Sequence, residues 1–145
     1  MEPLKQTDPR LYPEINEYGC FFMSIIVAAS QFTNSVFNAD KVNSLWDAAK
    51  KLGILSKVNG YWILRKPHEL GVLAGDGKIS TFANVKVVPG WIPTWYVGHT
   101  FIILKGETKT GTHYRLGDKE GKLIYDPMPS VKIIKELTQE FYLVE

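Results

Sequence analysis

The stretch CFFMSIIVAASQF, residues 20 to 32, limits the possible folds more than any other, because Phe21, Met23, Ile25, Val27, Ala28 and Phe32 put apolar side chains on every face of a helix. A helix that is apolar all round is surrounded by protein. In a chain of 145 residues the remaining elements must therefore wrap it. Ser24 interrupts the run, and its length falls well short of the ~18 residues of a membrane span, so a core helix is expected and no membrane partner.

A second helix is expected from Val42, Leu45, Trp46, Ala49 and Leu52, which recur with helical spacing; Asn38 or Asp40 can cap its front and Gly53 stands just past its end. It is amphipathic and would cover one face of the core. Before the buried helix, Pro3, Pro9 and Pro13 break regular structure and predict an extended arm leading to Cys20. Between Ile54 and Gly90 the pattern is mixed, with a short helix from Pro67 to Ala74, a short strand around Val85 to Val88, and NG and GDG turns; no chemistry is expected there.

From Trp91 onward the chain reads as strands: TFIILKG, THYRLGD, GKLIYDP and a final EFYLVE. Helices first and strands second predict an α+β fold, in which the buried N-terminal helix packs on a C-terminal antiparallel sheet, as one domain over residues 1–145.

Hydrophobic residues at 45% and charged residues at 22% exclude a disordered chain. The single cysteine cannot close an intramolecular disulfide, and MEPLKQTDPRLYPEI has no basic region followed by an apolar signal core, so a cytoplasmic protein is expected. The net charge is +2 and the lysines are scattered, which argues against nucleic acid as a partner.

Cys20, the one cysteine, follows Gly19 at the front of the buried helix. There a thiol meets unpaired backbone N–H groups and the positive end of the helix dipole, which favour the thiolate. The same N–H groups can face an oxyanion, and Gly19 leaves backbone room beside the sulfur. The alternative is a small buried core residue, a common role for cysteine.

A thiolate nucleophile needs a base. His68, in RKPHELG, reads as a solvated surface residue. An antiparallel hairpin folded about GDKEG sets His113 opposite Asp126, so that a carboxylate holds one imidazole nitrogen and leaves the other for sulfur. Pro127 then ends the pairing. His99, in YVGHTFIIL, is the alternative base, with Asp118 as its acid if residues 106–111 make the turn; of the two, His113 is favoured. The plain alternative for His113 and Asp126 is an exposed cross-strand pair. No CxxC, HxxxH, P-loop or GxGxxG is present, so neither metal nor cofactor is expected.

YGCFFMSIIVAA, followed far downstream by FIILKGETKTGTHYRLGDKEGKLIYDP, resembles the papain-like cysteine peptidases, in particular the bacteriocin-processing (double-glycine leader) peptidases and short phage and spirochete relatives of unknown function. The resemblance implies a bacterial or phage thiol hydrolase that cleaves a peptide or amide bond through an acyl-enzyme. Cys20 would be nucleophile, His113 base and Asp126 orienter. It also implies a glutamine upstream of the cysteine as oxyanion donor, for which Gln6 in LKQTDP is the candidate and Asn16 the alternative. The substrate would be a peptide or a peptidoglycan-like amide. Two other readings stand beside this one: a phage-type cell-wall peptide hydrolase, since a modestly basic protein suits an anionic wall, and a non-catalytic binding module of papain-like shape, using Trp91, Trp95 and Tyr96 as a groove or interface.

Overall fold

The computed structural model describes residues 3–85 and 99–145, with His99 described by its backbone alone. Its elements are α1 (Pro13–Tyr18), α2 (Cys20–Thr33), α3 (Ala39–Lys51), β1 (Leu55–Val58), β2 (Tyr61–Leu64), α4 (Pro67–Ala74), β3 (Phe82–Val85), β4 (His99–Thr108), β5 (Gly111–Gly117), β6 (Leu123–Tyr125) and β7 (Lys135–Val144). This is an α+β arrangement with N-terminal helices and a C-terminal antiparallel sheet in the order β3-β7-β4-β5-β6. No helix among the described residues is long and apolar enough to cross a membrane.

Helix α2 takes the central place its composition demands. Phe22, Met23, Ile25, Ile26 and Ala29 are all within 1% of complete burial, and the helix packs on α4 to one side and on β5 and β4 to the other. Each large apolar side chain so enclosed contributes about 1.5–3 kcal/mol. Trp46 from α3, Phe82 from β3, Phe101 and Ile103 from β4 and Tyr142 from β7 join the same core.

Helix α3 begins at Asn38, whose side chain accepts the Lys41 N–H at 2.8 Å. It ends in Lys50 and Lys51, favourably placed for the helix dipole, with Gly53 beyond it at φ +74°.

Three features depart from the sequence expectation. The N-terminal arm is not extended throughout, because Pro13 sits in the first turn of α1, where its missing N–H costs no hydrogen bond. The sheet is not purely C-terminal, since β3 from the middle of the chain forms one edge by pairing with β7. The middle also holds a separate hairpin, β1–β2, closed by Asn59 and Gly60, both at positive φ as a two-residue type I′ turn requires. Residues 86–88 of the expected strand lie outside the described residues, as do Trp91, Trp95 and Tyr96.

Glu14 in α1 holds these N-terminal pieces together. Its carboxylate accepts from Trp46 Nε1 at 3.0 Å, Lys50 Nζ at 2.9 Å and Trp62 Nε1 at 2.6 Å, tying α1 to α3 and β2. Burial raises its pKa, and the three donors more than offset that, so the group lies below the usual glutamate range. A second link runs from the Tyr18 hydroxyl to Gly60 O at 3.3 Å. The β1–β2 hairpin is thereby fixed beside the start of α2.

Candidate functional site

The turn between β5 and β6 is built by Asp118, whose Oδ1 accepts the N–H groups of Glu120 and Lys122, both at 2.9 Å. Its backbone closes the loop through Gly121 N–H to Asp118 O and Asp118 N–H to Lys122 O. Asp118 thus caps its own turn through Oδ1; the side chain of His99, the alternative base, lies outside the described residues.

The β5–β6 ladder pairs Leu116 with Tyr125 and Gly117 with Leu123, with a bulge between. His113 and Asp126 are thus not directly opposite in the ladder, as a regular hairpin would have placed them. Asp126 instead lies one residue past the end of β6, and its Oδ1 reaches His113 Nε2 at 2.7 Å. The same oxygen accepts the Met128 N–H at 3.0 Å, fixing the carboxylate across Pro127. His113 is only 3% exposed and Asp126 is half-buried, so this is a part-buried pair and not the exposed cross-strand pair of an ordinary hairpin. With Asp126 holding Nε2–H, Nδ1 is left as the basic nitrogen.

A strap formed by the N-terminal arm holds the Asp126 segment in place. The Tyr125 hydroxyl donates to Leu4 O at 2.6 Å, Lys5 Nζ donates to Asp126 O at 3.0 Å, and the Gln6 N–H donates to Pro127 O at 2.9 Å. The Tyr125 phenol is pushed well above its ordinary pKa, first by burial and then by the Asp126 charge, so it remains a donor.

Gln6 is consequently close to the dyad in space although far from Cys20 in sequence. It is 2% exposed, its Nε2 donates to Asn16 O at 3.1 Å, and its Oε1 has no hydrogen-bond partner among the described residues. Asn16 is already committed: its Nδ2 donates to Gln6 O at 2.6 Å and Asp8 O at 3.1 Å, using both amide protons on backbone carbonyls. It is therefore no free oxyanion donor.

Cys20 opens α2, with Gly19 as the residue before the first helical turn. Among the described residues β6 pairs only with residues 116 and 117, and no described strand lies beside the outer edge of β5 at Tyr114. Helix α2 packs on β5 here: the Ser24 hydroxyl donates to Tyr114 O at 3.4 Å, and the Tyr114 backbone N–H is among the groups that favour the Cys20 thiolate. Phe21 stacks on the Tyr114 ring at 4.3 Å between centroids.

The direction of the thiol's pKa differs from the sequence expectation. Burial is the largest influence and raises it; the N–H groups of Tyr114, Phe21 and Cys20 pull it down, the Asp126 charge pushes it up, and the net direction is upward. The helix terminus contributes as expected but is outweighed by desolvation. A thiol in this position stays protonated at neutral pH unless a base takes its proton.

Cys20 also forms part of a groove of about 620 Å³. Its lining comes from the start of α2 with Phe21, from β2 with Tyr61, Trp62 and Ile63, and from Thr108, Thr110 and Thr112 around the β4–β5 turn. The sequence reading assigned no chemistry to residues 54 to 90. The NG turn followed by YWIL was a hairpin signal, but its place beside Cys20 depends on Glu14 and Tyr18, which no local pattern reveals. His68 is exposed at the start of α4, as expected. Among the described residues no three His, Cys, Asp or Glu side chains cluster so as to hold a metal ion.

A family model described as "Protein of unknown function, DUF261" matches residues 1–139. No curated protein and no solved structure matches the chain.

Proposed function

The chain belongs to the DUF261 family, whose function is unknown, and for it we propose a papain-like thiol hydrolase acting on a peptide or peptidoglycan-like amide. One observation carries the reading: a part-buried His113–Asp126 hydrogen bond of 2.7 Å is set on the strand against which the helix opened by a groove-lining cysteine packs.

In this reading His113 Nδ1 takes the Cys20 proton as the sulfur attacks the carbonyl carbon, forming an S–C bond and a tetrahedral oxyanion. The N–H groups at the first turn of α2 can donate to that charge. The C–N bond then breaks, and the imidazolium returns its proton to the leaving amine. Water, deprotonated by His113, cleaves the thioester and restores the thiol. Asp126 holds the productive tautomer throughout. Gln6, beside Asp126–Pro127, can serve as an oxyanion donor only through its remaining Nε2 proton, because an unpartnered Oε1 accepts and does not donate.

The upward direction of the thiol favours a second reading, a non-catalytic binding module of the same shape. Incubation with a mixed peptide pool and with purified peptidoglycan, followed by detection of new amino termini, separates the two. The hydrolase reading expects cleavage of at least one of these by the wild type and complete loss in Cys20→Ala. Equal cleavage by both proteins, or none by the wild type, rejects it.

A further inference from the structure

We propose that the groove beside Cys20 selects an extended peptide carrying a large apolar side chain near the scissile carbonyl; this rests on the hydrolase reading and adds the substrate class. Two aromatic pairs flank the sulfur. Phe21 stacks on Tyr114 on the β5 side, and Tyr18 meets Tyr61 edge-on, 5.9 Å between centroids, on the hairpin side. Tyr61 is 62% exposed and Ile63 42% exposed, so β2 presents apolar surface beside a nucleophile without any described residue covering it. Such surface gains free energy when a ligand side chain buries it.

The groove's volume of about 620 Å³ lies within the range of sites that enclose whole ligands. A glycine pair at the scissile bond would leave the aromatic wall open to water. Glu17 lines the groove, while the Lys57 and Lys105 ammonium groups lie 5.9 Å from the Trp62 ring centre and 5.8 Å from that of Tyr114, so apolar burial and not charge sets the selection. Thr110 in the β4–β5 turn and Thr112 in β5 also line the groove; the Thr108 hydroxyl already engages the Thr110 and Gly111 N–H groups, which leaves the Thr110 and Thr112 hydroxyls to meet a ligand.

The test is calorimetric titration of the Cys20→Ala protein with acetylated, amidated hexapeptides identical except for one central residue: Phe, Leu, Gly or Glu. The Phe and Leu peptides are expected to bind at least tenfold more tightly than the Gly and Glu peptides. Adding Tyr61→Ala is expected to remove that advantage, a tenfold change or about 1.4 kcal/mol, whereas Tyr61→Phe keeps it. Equal binding of all four peptides, absence of binding, or an unaffected preference in Tyr61→Ala overturns the proposal. Apolar-selective binding without hydrolysis by the wild type sinks the hydrolase reading and leaves the groove's selectivity standing. Hydrolysis without that selectivity does the reverse.

Discussion

Asp126→Asn is expected to leave the fold intact and lower kcat/KM by about 10²–10⁴-fold. The change is isosteric, and an asparagine Oδ1 can still accept the Met128 N–H that now fixes the carboxylate. The same Oδ1 also meets His113 Nε2, so the asparagine keeps both contacts; what the change removes is the carboxylate charge that stabilises the imidazolium formed when His113 takes the thiol proton. Parallel measurement of kcat/KM and thermal unfolding checks this: an unchanged melting temperature with a large loss of rate is the expected pair, and an unchanged rate contradicts the role given to Asp126.

Gly19→Ala is expected to lower stability by about 3 kcal/mol, or roughly 10 °C in melting temperature for a chain of this size. The sign is decided by contact and not by backbone freedom. Gly19 has φ −89° and ψ 11°, a conformation alanine adopts readily, and at such a site alanine would ordinarily stabilise by about 0.4–1 kcal/mol. Here a Cβ would stand 2.5 Å from Ile15 O and 2.8 Å from Ile15 Cγ2. The first is a backbone atom that already accepts the Gly19 N–H at 2.9 Å, so relief requires α1 and α2 to move apart, carrying Cys20 with them. The sequence expectation gave Gly19 the task of making room for substrate; its contacts show that it makes room for the α1–α2 junction. Thermal unfolding of the variant measures the effect, and a melting temperature equal to or above that of the wild type would contradict it.

The parts of this architecture that follow local periodicity were legible in the sequence. α2 announced itself by being apolar all round, α3 by spacing and its Asn38 cap, and α4 by Pro67 at its start. The pairing of His113 with Asp126 was legible because a turn between two strand-like runs limits which residues can meet. Its geometry was not, because a bulge between Leu116 and Gly117 changes the register by an amount no alternation pattern reports. Long-range placement was also hidden. Nothing local says that Leu4 to Gln6 strap residues 125–127, that Glu14 collects Trp46, Lys50 and Trp62, or that the β1–β2 hairpin walls the groove. The thiol's direction was misjudged for a related reason: dipole and N–H donors can be read from a helix start, whereas desolvation depends on everything packed around it.

The central claim, that His113 serves Cys20 as base, is tested most directly by the pH dependence of Cys20 alkylation by iodoacetamide in the wild type and in His113→Asn. Burial holds the thiol above its ordinary range, so a sulfur titrating alone reacts slowly at neutral pH and gains rate only as pH rises past about 9. With His113 as proton acceptor, the wild type should already react at a high, nearly level rate between about pH 6 and 8, and His113→Asn should fall to the alkaline profile of the isolated thiol. Superimposable profiles, both rising only above pH 9, would contradict the claim.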